Sequence, residues 1–342
     1  MNAAEAAMGR ARAYLEFLAA VLYFFLARAL AHLSARGLVS EDWSPLVEQA
    51  MLAFLLLVGY AAMGFWLDRE TDPVSEQGFP RRAGFAHEAG MGLATGWALA
   101  LVCILPMLAA GGIVVSFSTP MASWEWLAAD AAFFALLALG EEVAFRGYGF
   151  QRFARALGPV GATVVFALYY ALVEKMIPGS SRSSFLVSLA LGLLLSVAYL
   201  RTRALWLSWG LNFGWKASRA LLFGLAVNGD SSHSPVVQGY PMGPLWLTGG
   251  GFGLDASGFA LIVLIAALPA LYRVTRELDY RYNAPVLIPG GFPVDLDAAA
   301  RAQHEAAMGA TEPAGPALVQ IAGAPSSTPQ PEEPSESGRA NS

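Results

Sequence analysis

A segment of 25 residues decides the fold: residues 125–149 read EWLAADAAFFALLALGEEVAFRGYG. It begins as an apolar stretch, and about 20 apolar helical residues are enough to cross the roughly 30 Å hydrocarbon core of a bilayer. It ends with three ionisable residues, Glu141, Glu142 and Arg146. Ionisable residues at membrane depth are costly unless they are paired or hydrated, so they mark functional sites. The segment therefore predicts a transmembrane helix that carries a polar site.

The composition of the whole chain is that of a polytopic membrane protein. Of its 342 residues, 56% are hydrophobic and 14% are charged, whereas a soluble domain has about 25% charged residues. The net charge is −5 and the basic residues are scattered, so the chain lacks the basic stripe of a nucleic-acid-binding protein. The single cysteine, Cys103, excludes an intramolecular disulfide and a cysteine-based zinc site.

Eight stretches of the chain are apolar and long enough to be transmembrane helices. They cover residues 13–34, 46–67, 89–116, 125–149, 158–177, 184–200, 204–227 and 256–273. The predicted fold class is all-α and polytopic, with a two-helix segment at 1–88, a membrane core at 89–275 and a polar cytoplasmic tail at 276–342. Within the tail, residues 295–307 are predicted to form a short polar helix, and residues 324–342, dense in Pro, Glu and Ser, to be disordered.

The basic residues of the short loops predict the orientation of these helices. If both termini are cytoplasmic, thirteen arginines lie inside and only Arg36, Lys175 and Arg182 lie outside. The inside set is Arg10, Arg12, Arg69, Arg81, Arg82, Arg146, Arg152, Arg155, Arg201, Arg203, Arg273, Arg276 and Arg281. Residues 228–255 lack Lys and Arg and are predicted to form an external loop, with Trp246 as an interfacial anchor. The predicted location is a bacterial-type inner membrane.

Three of the predicted helices carry polar residues at membrane depth. The fourth carries Glu141, Glu142 and Arg146, the fifth Tyr170 and Glu174, and the seventh Asn212, Lys216 and Arg219. Paired carboxylates suit general base catalysis, but the charges at 141–146 and at 174–175 are equally compatible with ordinary helix ends. Lys216 is too deep in its helix for its ammonium to reach water, so we expect it to have a buried carboxylate partner. Gly210 and Gly214 predict close helix packing on the same helix.

These three groups, in this order, resemble the motifs of the CPBP family of intramembrane proteases, which includes the CAAX prenyl endopeptidases and Abi-like bacterial membrane proteins. The first motif of the family, EExxxR, is matched by Glu141, Glu142 and Arg146. The flanking sequences ALGPVGAT, AYLRTRALWLSWGLNFGW and PLWLTGG are also similar to bacterial members, so the resemblance covers roughly residues 90–275. It implies an intramembrane metalloendopeptidase, with zinc or another divalent cation as cofactor and a membrane-associated or prenylated peptide as substrate.

The other two motifs of the family are altered in this chain. At the FxxxH motif, Tyr170 takes the Phe position and Glu174 the His position, or, in a rival register, Phe166 and Tyr170 do. At the HxxxN motif, Asn212 takes the His position and Lys216 the Asn position. The four histidines of the chain lie outside the three motif helices, at His32, His87, His233 and His304. Both histidines that the family would use are therefore replaced, which makes a bound metal doubtful.

Two interpretations follow from this resemblance. In an altered protease, Glu141 or Glu142 activates water, Glu174 stands in for the lost histidine, and Asn212 and Lys216 stabilise the oxyanion. In a pseudoenzyme, which we favour, Lys216 and Arg146 neutralise the carboxylates in a buried network, and the protein binds a membrane peptide or acts as a scaffold without cutting. A transporter is a third and less favoured interpretation, because the chain shows no inverted repeat.

Overall fold

A computed structural model describes residues 3–117, 121–233 and 236–278 of the chain, about four fifths of them helical. The helices are α1 (Ala3–Leu38), α2 (Ser44–Asp68), α3 (Pro73–Glu76), α4 (Phe85–Ala109), α5 (Met121–Arg146), α6 (Tyr148–Lys175), α7 (Arg182–Thr202), α8 (Leu205–Ala217), α9 (Leu245–Thr248) and α10 (Gly258–Val274). A π-turn (Ser218–Leu222) follows α8, and a 3-10 turn (Gly250–Ala256) precedes α10. The fold is thus all-α and polytopic, as predicted. The helix predicted at 295–307 and the disorder predicted at 324–342 lie outside the described residues.

The described residues contain six stretches that are long and apolar enough to cross a membrane, rather than eight. One of the six, Trp124–Lys175, contains two helices, α5 and α6. The seventh predicted span, 204–227, is not among them because α8 has only 13 residues and then passes into the π-turn. At about 1.5 Å per residue, α8 is shorter than the apolar core of a bilayer.

Gly147 separates α5 from α6, and its backbone is not helical (φ −76°, ψ −135°). A methyl group at this position would collide with the carbonyl oxygen of Val143, so the turn needs a residue without a Cβ atom. The break ends α5 at Arg146 and leaves this arginine packed inside the protein. A second interruption follows in α6, where Gly158 has φ +79° and precedes Pro159.

The tightest packing joins α4 to α8 through four glycines. They are Gly92 and Gly96 on α4, and Gly210 and Gly214 on α8. A Cβ atom at any of them would collide with a backbone carbonyl oxygen of the opposite helix. The close packing predicted from Gly210 and Gly214 is therefore confirmed, and α4 supplies a matching pair of glycines.

Two short strands were not predicted. Strand β1 (Ile113–Phe117) pairs in antiparallel register with β2 (Val237–Pro241), with Val115 opposite Gly239. The predicted third span, 89–116, overran the end of α4 because the residues of β1 are also apolar, and hydropathy alone does not separate a helix from a strand. Strand β2 lies within the predicted external loop, which is consequently more ordered than its Gly, Pro and Ser content indicated.

Ion pairs tie α1 and α2 to α6 at one end of the bundle. The guanidinium of Arg152 pairs with Asp68 at 2.9 Å and with Glu70, and the hydroxyl of Tyr148 donates to Asp68 at 3.0 Å. Arg12 also pairs with Asp68, at 3.3 Å. These contacts anchor the first two helices to the rest of the protein.

Two more arginines bind loops and helix ends in the same part of the molecule. Arg82 donates to the carbonyl oxygen of Thr202 at 2.8 Å, and Arg201 donates to the hydroxyl of Thr275 at 3.0 Å. We call the end of the bundle defined by Arg12, Arg82, Arg152 and Arg201 the Arg-rich end. Arg146, which the orientation count placed among the loop arginines, is fully buried beside Glu142. Its inclusion among the loop arginines was wrong, because Arg146 is the last residue of α5 and its side chain is packed inside the protein.

Candidate active site

The end of α5 places a charged pair in the protein interior. Glu142 and Arg146 are one helical turn apart, and their side chains form an ion pair of 3.2 Å with no exposed surface. Arg146 also donates to the carbonyl oxygen of Gly192 on α7 at 3.2 Å. Its guanidinium lies 5.2 Å from the ring centre of Tyr170, within range of a cation–π contact. The first motif is therefore a buried polar site rather than a solvated helix end.

Helix α8 completes the site with two side chains from the same face. The amide nitrogen of Asn212 donates to Glu141 at 2.8 Å and to Glu142 at 3.1 Å, and so bridges the two carboxylates. The ammonium of Lys216 pairs with the other oxygen of Glu141. Lys216 and Asn212 are both buried. The carboxylate partner expected for Lys216 is thus Glu141.

Helix α6 contributes Tyr170 and Glu174 at the edge of this group. The hydroxyl of Tyr170 lies 3.5 Å from Glu141, at the limit of a hydrogen bond. Glu174 is partly buried and lies within Coulombic range of Lys216 and Glu141, but it makes no hydrogen bond or ion pair with a described residue. Phe166, the alternative motif residue, packs instead on the rings of Phe150 and Phe153.

A second buried ion pair adjoins the site and was not predicted. Arg219, in the π-turn after α8, pairs with Asp255 at 2.9 Å, and Asp255 also accepts a hydrogen bond from the backbone nitrogen of Asn228 at 2.9 Å. The sequence predicted that Arg219 lies at membrane depth, in line with Asn212 and Lys216 on the same helix. Its partner was missed because Asp255 stands outside every predicted motif, at the edge of the last span. The one available signal was a lone carboxylate in a glycine-rich apolar stretch.

The donors present here do not fit a divalent metal ion. Glu141 and Glu142 each already face a cation, Lys216 and Arg146 respectively, and Asn212 presents its N–H group to them. Zinc sites are built from thiolate, imidazole and carboxylate donors, and in the part of the chain that the structure describes, no three such residues come close enough together to hold a metal. An ammonium beside Glu141 would also repel a second positive charge.

The comparison with protein families agrees with the motif order. A family model described as "Type II CAAX prenyl endopeptidase Rce1-like" matches residues 123–218. These 96 residues, less than a third of the chain, are similar to that family. No curated protein and no solved structure matches the chain. The CAAX-protease-like region comprises most of α5, all of α6, α7 and α8, and the first residue of the π-turn, so it contains the whole network from Glu141 to Lys216, whereas Arg219 and Asp255 lie beyond it.

Proposed function

We propose that this membrane protein of the CAAX-protease type has lost metal-dependent endopeptidase activity, and that Lys216 supplies the positive charge that a metal would supply in an active site of this kind. The observation that carries the proposal is the contact between the ammonium of Lys216 and Glu141. A nest of buried carboxylates without a cation would be strongly destabilised, and a lysine in the same cavity offsets that cost. On this proposal the fold is retained for binding a membrane-associated or prenylated peptide, or as a scaffold.

The hydrogen bonds of the two glutamates support a loss of catalysis. A general base needs a carboxylate oxygen that can accept a proton from a water molecule held beside the substrate. Both oxygens of Glu141 are engaged, one by Lys216 and the other by Asn212. One oxygen of Glu142 binds Arg146 and Asn212, and the other has no hydrogen-bond partner among the described residues but is fully buried, out of reach of water. Neither glutamate is placed to activate water without a rearrangement.

An altered protease is the second candidate function. It is favoured by the lack of a described ion-pair partner for Glu174. Arg146, Lys216 and Arg219 each pair with one carboxylate, whereas Glu174 pairs with no described residue. Glu174 would act as the base in place of the family histidine, and Lys216 would stabilise the oxyanion. This mechanism requires Lys216 to leave Glu141 when substrate binds.

Restoring the family motifs tests the proposal directly. The triple variant Glu174→His, Asn212→His, Lys216→Asn recreates FxxxH and HxxxN in the register that includes Tyr170 and Glu174. Purified protein in bilayer nanodiscs would be analysed for bound zinc and for cleavage of a farnesylated CAAX peptide. We expect no stoichiometric zinc and no cleavage with the wild type, and about one zinc ion per chain with the triple variant. Cleavage by the wild type that Glu142→Ala abolishes would establish the altered protease instead.

We also propose, from the distribution of basic residues, that both termini and the Arg-rich end lie in the cytoplasm of a bacterial-type cell. Cys103 is buried, so single cysteines can be introduced and labelled in intact cells with a membrane-impermeant maleimide. Asp42→Cys, in the exposed turn between α1 and α2, is expected to react. Ala83→Cys, exposed near the Arg-rich end, is expected to be protected until the cells are opened. The reverse labelling pattern would invert the orientation.

A further inference from the structure

An apolar groove of about 760 Å³ opens near the Arg-rich end, beside the candidate active site. Its wall includes Phe79, Phe85, Leu139, Trp206 and Trp209. The indole nitrogen of Trp206 donates to the carbonyl oxygen of Pro80 at 3.4 Å, and that of Trp209 donates to Ala135 at 3.0 Å. Because both indole N–H groups are satisfied within the protein, the groove is lined by the apolar surfaces of the two rings.

Two arginines of different character lie along the groove. Arg82 is part of the wall, since its guanidinium is held by Glu88 at 2.7 Å and by the carbonyl oxygen of Thr202 at 2.8 Å. Arg81 also lines the groove but is exposed, and it makes no hydrogen bond or ion pair with a described residue. The groove is therefore an apolar slot with an available positive charge beside it.

A second cavity, of about 520 Å³, shares Pro80 and Arg82 with the groove as a common wall. It is lined by Arg155 and Arg203, and Glu76 is the one acidic residue among its described lining residues. Arg155 makes no ion pair with a described residue, and Tyr199 lines the same cavity. Unlike the groove, this cavity is polar, and the guanidinium of Arg155 is a cation in its wall that pairs with no described carboxylate.

We propose that the groove binds an acyl chain of an anionic phospholipid whose phosphate lies beside Arg81 and faces the positive charge of Arg155. An apolar slot bordered by guanidinium groups at the membrane surface matches an amphiphile with a negatively charged head. Leu139 and Trp209 lie three residues before Glu142 and Asn212 on the same helices, so the bound chain passes about one helical turn from the charge network. Lipid binding at this site does not depend on whether the network is catalytic.

Native mass spectrometry of delipidated protein, titrated with phosphatidylglycerol or with phosphatidylcholine of identical chains, tests the headgroup. We expect phosphatidylglycerol to bind more tightly, and Arg81→Gln and Arg155→Gln each to weaken it about fivefold, since one arginine near a membrane surface contributes about a factor of that size. Arg273→Gln is the matched control, because it removes an exposed arginine that lies outside both cavities, at the C-terminal end of α10. Equal affinity for the two lipids, or an equal effect of the control, would overturn the proposal.

The apolar half of the site has its own test. Val74 lines the groove, whereas Val58, exposed to a similar degree, does not. Val74→Trp is expected to weaken both lipids several-fold while the preference for phosphatidylglycerol is retained, and Val58→Trp is expected to leave both affinities unchanged. An unchanged affinity in Val74→Trp would refute binding in the groove. The proposal would also be refuted if a neutral farnesylated peptide competed for the site at a lower concentration than free phosphatidylglycerol does.

Discussion

Helix α5 carries a cluster of ion pairs at each of its ends, and the two clusters differ in their access to water. Near its start, Asp130 binds His233, which in turn binds Asp230. Near its end lie Glu142 and Arg146 with their partners from α8. The side chain of Asp230 is 53% exposed, whereas those of Glu142 and Arg146 are 0% exposed. Asp230 can exchange its partner for water, whereas Glu142 and Arg146 cannot.

The His233 cluster shows what ion pairing does where water is available. The imidazole binds Asp130 at 3.0 Å and Asp230 at 3.2 Å, and it stacks on the ring of Phe133 at 4.1 Å. Burial opposes the charging of His233, but the hydrogen bonds to the two aspartates outweigh it and raise the pKa of His233 to about 9. The hydrogen bond from His233 in turn holds the pKa of Asp230 below its ordinary value. We therefore expect the stability of this cluster to depend on pH and on salt.

The largest expected effect comes from Lys216→Met, which leaves the largely buried Glu141 without its cation. Breaking one partner of a buried ion pair costs about 3–5 kcal/mol, so we expect a loss of that size in the free energy of unfolding, measured by denaturant titration in mixed micelles. The double variant Lys216→Met, Glu141→Gln is the matched control, because it removes both charges. We expect it to regain most of the loss. A double variant as unstable as Lys216→Met alone would mean that packing, not charge, explains the effect.

A smaller loss is expected for His233→Gln at the other end of α5. A hydrogen bond to a charged group contributes about 1.5–3 kcal/mol, and water can partly replace the imidazole beside the exposed Asp230. We therefore expect a loss of about 2 kcal/mol at pH 7 in the same unfolding assay. If His233→Gln destabilised the protein as much as Lys216→Met, the contrast in water access between the two clusters would not hold.

The pH dependence separates the two clusters further. The pKa of His233 is higher in the folded protein, about 9, than in an unfolded chain, about 6.5. Its contribution is therefore fully present below about pH 6.5 and is lost as the pH rises through about 9. The stability difference between wild type and His233→Gln should shrink between pH 7 and 10, as followed by unfolding at each pH. A difference that stays constant to pH 10 would show that His233 is neutral in the folded protein.

Salt should have the smallest effect. At 1 M salt the screening length is about 3 Å, which weakens exposed ion pairs and leaves buried ones nearly unchanged. We expect the cost of His233→Gln to fall by less than about 1 kcal/mol between low salt and 1 M NaCl, and the cost of Lys216→Met to remain the same. Equal salt sensitivity of both variants would indicate that water reaches the Lys216 site.

The sequence predicted the polar core well where local periodicity was enough. The one-turn spacing of Glu142 and Arg146 was sufficient to place them on one face of α5. The depth of Lys216 was sufficient to predict a carboxylate partner, because an unpaired ammonium cannot remain in an apolar interior. The family motifs identified which three helices meet, and the structure brings them together.

The features that the sequence did not predict depend on contacts between distant segments. Asp255 meets Arg219 only because the 3-10 turn before α10 folds back onto the π-turn. Strand β1 exists because β2, more than a hundred residues later, pairs with it. The orientation count included Arg146 because charge alone does not distinguish a loop arginine from a buried one. In each case the deciding partner lies far away along the chain.

The four glycines between α4 and α8 limit how this protein can open. At each glycine the backbone of the opposite helix is so close that there is no space for a side chain. Sliding α8 along α4 would bring larger neighbours of the glycines, such as Leu93 on α4 or Leu211 on α8, against that backbone. The two helices therefore act as one mechanical unit, and Asn212 and Lys216 move with it. We therefore expect any opening at the apolar groove to involve α2 or α5, whose residues Leu57 and Leu139 line it.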